Sequence, residues 1–343
     1  MRVFTSLPQS DLRKVPAAAQ KIEADGYTGV ATQENKHDPF LALAVAGVAT
    51  SKIELHTSVA IAFPRSPMIA ANIGWDLAAS TGGRFTLGLG SQIRPHNEKR
   101  FSVPWTPPAP RLREYIQALR AIWKAWKEGS KLAYEGKHYK FTLMTPHFVP
   151  EAYDAPMPRI GLAAVGPATL KVAAEEADGA KLHAFCTRKY LENRIMPILS
   201  EGLAKSGRSR EQYEISGGGF IVTGKDDEAV QKLFDYVRYR VAFYGSTPAY
   251  WPVFEEHGLG DLGRKLNEMT KQGQWDKIAA EVPDDVVHLF AAVGRYDQIA
   301  KAIETRFGGL VDSIGSSANA AKPTELPPGL IQDITRIPTK YRA

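Results

Sequence analysis

The sequence predicts an α/β chain folded as a parallel (β/α)8 TIM barrel with insertions, on three observations. Short apolar runs alternate with longer amphipathic ones along the 343 residues. Eight such apolar runs occur, too many for the six strands of a doubly wound sheet. The dinucleotide fingerprint also fails, because Gly88-x-Gly90 is followed by Ile93 where a third glycine belongs. No P-loop sequence and no short repeat period accompanies the alternation.

The elements follow in order. The first apolar run is Val3–Leu7, and residues 11–25 carry Leu12, Val15, Ala19 and Ile22 at helical spacing until Gly26 stops them. Gly29–Thr32 is the second run, leading into the polar loop QENKHD. Asp38-Pro39 reads as an N-cap with proline at the first helical position. The third run is ELHTSVAIA, with a helix over Pro67–Ser80 behind it. The fourth is Arg84–Leu89, followed by a basic loop and a strong amphipathic helix over Arg111–Lys127.

Leu132–Phe141 then reads as a hairpin with Glu135-Gly136 in its turn, and a proline-rich connector reaches Pro158. Alternation resumes with a strand at Arg159–Ala163 and a helix at Pro167–Glu176. A strand at Ala180–Ala184 and a helix at Thr187–Lys205 come next. The seventh run, Tyr213–Thr223, is interrupted by three glycines and precedes a helix over Asp226–Phe243. Tyr244–Val293 breaks the rhythm and reads as a mostly helical insertion. A helix at Tyr296–Phe307 and the eighth strand at Leu310–Ile314 close the count, before a proline-rich tail with one short helix. The expected organisation is one barrel domain over 1–343, with insertions near 129–158 and 244–293.

Composition narrows the function classes. Hydrophobic residues make up 44% and charged residues 23%, enough apolar surface for a sizeable core. The formal charge of +6 comes from scattered Lys and Arg without a long basic run. That argues against nucleic acid and suits a phosphorylated cofactor or acidic substrate. A single cysteine, Cys186, excludes an intrachain disulfide and fits a reducing cytoplasm. Nothing in its sequence surroundings lowers its pKa for nucleophilic work. No signal-peptide pattern, no apolar run of about 18 residues and no metal-ligand spacing occurs, so the expectation is no membrane span and no metal.

In a barrel of this kind the active site is built from the loops that follow the strands. Those loops carry Gln33, Glu34, Asn35, Lys36 and His37, then Ser91, Gln92, Arg94 and His96. His183 ends the sixth run, and Ala163-Ala164-Val165-Gly166-Pro167 opens a helix after the fifth. Small residues at a helix N-terminus suit a phosphate, and they equally suit an ordinary tight strand-to-helix turn. His96 reads either as a general acid–base group or as a solvated loop residue, and His183 as acid–base or core. Glu34 alone reads more readily as a solvated acid than as a catalyst.

The segments GYTGVATQENKHDPF, GGRFTLGLG, GLAAVGPATLKVAAEEADGAKLHAF and FYGSTPAYWPVFEEHG resemble the luciferase-like monooxygenase superfamily. Within it the chain is most similar to the coenzyme F420-dependent oxidoreductases, over nearly its whole length. That resemblance implies a (β/α)8 barrel with F420, or alternatively FMN, at the C-terminal ends of the strands. It implies cofactor-binding roles for Ser58 and Val59, where relatives carry a non-proline cis peptide. It implies the same for Gly90, Ser91 and Gln92, and for the phosphate-binding backbone of Ala163, Ala164, Val165 and Gly166. The proton-handling candidates are His96, with Glu34 and His183 as alternates. Arg65 and Arg94 are candidates for the cofactor's anionic tail.

The chain departs from the pattern in two places. Glu34 and Asn35 stand where some relatives have an Asp-His pair, and His56 stands where small residues are common. The implied activity is hydride transfer between F420 and a small organic substrate, with a homodimer as a common assembly. The alternatives are an FMN-dependent two-component monooxygenase with a separate flavin reductase, and a non-catalytic flavin- or deazaflavin-binding protein.

Overall fold

The structure is a computed structural model describing residues 1–316 and 325–342. Its strands are β1 (Arg2–Thr5), β2 (Gly29–Thr32), β3 (Glu54–Thr57), β4 (Ala60–Ile61), β5 (Phe85–Gly90), β6 (Tyr134–Glu135) and β7 (Lys140–Phe141). They continue with β8 (Arg159–Ala164), β9 (Gly179–Leu182), β10 (Glu214–Gly217), β11 (Phe220–Gly224), β12 (Ala291–Arg295) and β13 (Ser313–Gly315). The architecture is a (β/α)8-like parallel barrel with flanking helical insertions. The chain forms two compact units. One is Ser6–Lys181 with Glu201–Ser209; the other is Met1–Thr5, Leu182–Ser200 and Arg210–Ala343.

In the first of these units β2 pairs with β3, β3 and β4 both pair with β5, and β5 pairs with β8, all in parallel. All six residues of β5 are buried, as expected for a parallel strand covered on both faces. Gly88 is required there, since a Cβ would lie 1.9 Å from the Thr57 carbonyl oxygen. The helix Pro67–Ser80 starts where Ser66 accepts a hydrogen bond from the Met68 N–H at 3.2 Å. The helix Pro108–Glu128 buries Leu112, Tyr115, Ile116, Leu119, Ile122, Trp123 and Trp126 on one stripe. The Trp123 indole N–H donates to Ala71 O at 3.0 Å, and its ring lies against Gly74. Truncating Trp123 to alanine costs about 3–5 kcal/mol on this packing alone.

Three boundaries in this unit differ from expectation. The third run is two strands, because the chain kinks at Ser58-Val59 between β3 and β4. The hairpin turn spans residues 136–139, and Glu135 lies in a strand opposite Lys140. Gly136 N–H closes that turn on Tyr139 O at 2.8 Å. Asp38 does cap its helix, accepting from the Phe40 and Leu41 N–H groups, but the helix starts at Leu41.

In the other unit β13 pairs in parallel with both β1 and β10. Asp312, fully buried, accepts from Ile215 N–H at 2.8 Å, from Arg210 at 2.8 Å and from Tyr341 N–H at 3.0 Å. That satisfies a buried carboxylate with charge-assisted bonds. The seventh run is also two strands. Gly217 and Gly218, both near φ +88° and +87°, turn the chain between β10 and β11. β11 then pairs with β12 in a separate two-stranded parallel sheet. β12 begins inside the segment expected to be helical and runs two residues past its end. It directly follows the helix Asp284–Phe290, with no glycine or proline to mark the change. The short helix of the tail is Pro328–Thr335, and the tail's first residues, 322–324, lie outside the described residues.

No helix among the described residues is long and apolar enough to cross a membrane, and no cluster there is suited to a metal ion.

Candidate functional site

The C-terminal ends of β3, β5 and β8 converge on one point. The Ser58–Val59 peptide is cis, the geometry that the resemblance implies at this position. Ser58 N–H donates to Thr32 O at 2.7 Å, and Ala62 N–H donates to Gly90 O at 2.9 Å. A Cβ on Gly90 would lie 2.7 Å from Val59 Cγ2 and 3.5 Å from Ala163 Cβ. Three candidate cofactor-binding residues, from β5, β8 and the kink between β3 and β4, are thus within van der Waals reach, and any side chain at position 90 would push Val59 away.

Glu34, at the end of β2, braces this convergence. Its N–H donates to Val59 O at 3.3 Å. Its carboxylate accepts from Ile61 N–H at 2.7 Å and from the Arg65 guanidinium at 2.7 Å. Arg65 also donates to Ile61 O at 3.1 Å and reaches Asp38 at 3.3 Å. Burial opposes the Arg65 charge, but hydrogen bonding and charge from Glu34, with help from Asp38, outweigh it and raise its pKa. Arg65 is therefore already engaged at the brace.

The loop after β5 is tighter than its sequence suggests. Gln92 sits at φ 57°, in the left-handed region, with its Oε1 accepting from Ile93 N–H at 2.9 Å. Arg94–Lys99 is a short helix opened by Pro95, so His96 lies on a helical turn rather than in irregular loop. His96 is half-buried, and its imidazole has no hydrogen-bond partner among the described residues. Arg94 pairs with Glu98 at 3.0 Å. Asn97, which sequence reasoning passed over, is fully buried and donates to Ser91 O at 2.9 Å and Ile93 O at 3.1 Å. It ties the 91–97 loop shut. An asparagine in a polar run carries no sequence signal for that role.

At the end of β8, Ala163 is half-buried and Ala164 is buried, and Val165 just after it is exposed. Gly166 precedes the ten-residue helix Pro167–Glu176, and no side chain caps its N-terminus. A Cβ on Gly166 would meet nothing within 4 Å. Open space at Gly166, beside a helix N-terminus that no side chain caps, fits a phosphate or another anionic group. The residues present therefore suit a phosphorylated ring cofactor.

In the other unit, His183 follows β9. Its Nδ1 accepts from Phe185 N–H at 3.0 Å, which places any neutral-state proton on Nε2. Its ring packs against Tyr244 at 4.4 Å and Tyr250 at 4.8 Å between centroids. Burial, with a smaller push from Arg240, lowers its pKa to about 4. At neutral pH it is an uncharged imidazole. Cys186 is buried as well, and burial pushes its thiol up to about 12.

A parallel barrel with its candidate site at the strand C-terminal ends describes a large class of enzymes, and the comparisons narrow it. The luciferase-like monooxygenase family matches residues 2–313, and the chain belongs to that family. An uncharacterized protein of Mycobacterium tuberculosis is 46% identical over 314 residues, covering 92% of both chains. A putative coenzyme F420-dependent oxidoreductase of the same organism is 29% identical over 314 residues, covering 86% of both. The solved structure of the coenzyme F420-dependent tetrahydromethanopterin reductase of Methanopyrus kandleri superposes with a TM-score of 0.76 at 21% identity, covering 98% of this chain and 97% of the other.

Proposed function

We propose that the chain is an F420-dependent oxidoreductase that moves a hydride between the deazaflavin and a small organic substrate. The carrying observation is the convergence of Val59, Gly90 and Ala163 beside the open helix N-terminus at Gly166. It supplies a flat apolar backing with an anion site next to it, the two requirements of a phosphorylated ring. The names of two relatives, the putative F420-dependent oxidoreductase and a 5,10-methylenetetrahydromethanopterin reductase of Archaeoglobus fulgidus at 28% identity over 287 residues, favour F420. The expected cytoplasmic location and homodimer go with this reading.

When bound, the deazaflavin supplies two-electron hydride chemistry. The chain's own residues bind, orient and handle the proton. Ser58, Val59, Gly90 and Ala163 form the ring platform. Ala164, Val165 and Gly166 present backbone to the phosphate. Ser91 and Gln92 border the ring, in a loop held by Asn97. Glu34 acts as a positioning residue, since its carboxylate is spent on Ile61 and Arg65. His96 carries the proton to or from substrate at its imidazole. His183, neutral and wedged between tyrosines, suits hydrogen bonding through Nε2–H better than acid catalysis.

Titration of the purified protein with F420 and with FMN tests the reading. Micromolar or tighter F420 binding is expected. Tight FMN binding with no detectable F420 binding overturns the cofactor assignment and makes oxygen uptake with reduced FMN the next measurement.

A further inference from the structure

One layer below the ring platform lies a polar chain inside the barrel. Successive inward residues on a strand are two apart, about 7 Å along it. Gly88 pairs with Gly161, and these glycines stand two residues before Gly90 and Ala163. The Lys181 stem of β9 crosses both, and at Gly161 it is the nearest neighbour a side chain would meet, whereas at Gly88 the Thr57 carbonyl oxygen also excludes one. A Cβ on Gly88 would lie 2.6 Å from Lys181 Cε, and one on Gly161 2.8 Å from it. The stem delivers Lys181 Nζ to within 3.5 Å of His56 Nδ1. His56 Nε2 in turn sits 2.9 Å from Glu54 Oε2. A carboxylate only accepts, so Nε2 carries the proton and Nδ1 is the acceptor for the ammonium. His56 is 2% exposed and lies on β3, two residues before Ser58 in the chain.

A glycine pair, a histidine and a glutamate thus position one ammonium group. A strand interior gains nothing from two glycines unless another group needs the space. Charge at this depth acts through a medium far less polarisable than water. Lys181 is nearer the platform layer, and Glu54 lies deeper, two residues before His56.

We infer that Lys181 is a charge-tuning residue for the bound ring: its ammonium stabilises the negative charge the ring gains on reduction. His56 and Glu54 are positioning residues that orient the ammonium and temper its field. The inference rests on the ring position proposed above.

The test is the midpoint potential of the bound ring in the wild type, Lys181→Met and Glu54→Gln, with melting temperature as a folding control. Methionine keeps the stem over Gly88 and Gly161 and removes only the charge. The expected result is a more negative potential in Lys181→Met, equivalent to about tenfold weaker preference for the reduced ring, or about 30 mV for a two-electron couple. Glu54→Gln moves the potential the opposite way. A purely structural chain predicts no such pair of opposite shifts. Potentials unchanged in both variants overturn the inference, as do shifts of the same sign. Should Lys181→Met fail to fold, the direction of the Glu54→Gln shift decides, with a negative or null shift overturning it. If the wild type binds FMN and not F420, the cofactor reading fails, and the same comparison made with FMN decides the role of Lys181. A wild type that binds neither ring overturns both.

Discussion

The Glu34 carboxylate and the Arg65 guanidinium meet at 2.7 Å, and both also hold the Ile61 backbone, one by its N–H and the other by its C=O. This ion pair spans the gap between the end of β2 and the segment after β4. It makes Glu34 a brace for the backbone at Val59 and Ile61 rather than a free acid. Glu34→Gln leaves the Arg65 charge with only Asp38 and weakens the bond to Ile61. Loss of about 2–3 kcal/mol of stability is expected by urea denaturation, because the pair is largely shielded from water. F420 affinity falls with it.

Gly90→Ala tests the convergence. The new methyl group would lie 2.7 Å from Val59 Cγ2, and Val59 is tied by its carbonyl to Glu34. Overpacking here costs about 1–3 kcal/mol. The expected outcome is at least tenfold weaker F420 binding by fluorescence titration. Unchanged affinity would remove position 90 from the platform.

His96→Ala addresses the proton. The imidazole has no structural partner among the described residues, so stability and F420 affinity stay near wild type. Turnover falls about 100-fold or more if His96 is the general acid or base. Full activity in this variant would transfer the role elsewhere.

His183 gives a pH signature. Its folded pKa is about 4 against 6.5 for the free side chain. Between those values the unfolded chain binds the extra proton and the folded chain does not. Stability is therefore lost as pH falls from 6.5 towards 4, by up to ~3 kcal/mol, and no further below that. Denaturant midpoints measured across this range should show the decline, and His183→Gln should flatten its share of it.

Cys186 should be inert in the native state. Its thiol is buried and its pKa is pushed to about 12, so thiolate is scarce at neutral pH. Thiol reagents should label it only after unfolding. Rapid labelling of the native protein would contradict the packing around it.

Local patterns in the sequence determined much of the fold. β2 and the helices Pro67–Ser80 and Pro167–Glu176 lie where they were expected, because each is bounded by residues whose backbone preference is intrinsic. Pro67 and Pro167 open helices by their fixed φ, and Ser66 supplies its own cap. The eight-fold alternation rests on periodicities of 2 and 3.6, which short windows report faithfully. The loops that follow the strands were legible for the same reason, and they carry Glu34, Gln92, His96 and the 163–166 turn.

What those residues do was decided only by tertiary structure. Glu34 is a brace because Ile61 and Arg65, far along the chain, are brought to it by strand register. Gly88 and Gly90 look alike in sequence, yet one makes room for Lys181 and the Thr57 carbonyl, the other for Val59. β11 and β12 pair with each other across a long insertion, a choice no local window contains. Asn97 and Lys181 had no sequence signature, since burial and hydrogen-bond partners are set by neighbours distant in the chain. Propensity is local and partnership is not, and the chemistry of this barrel depends on partnership.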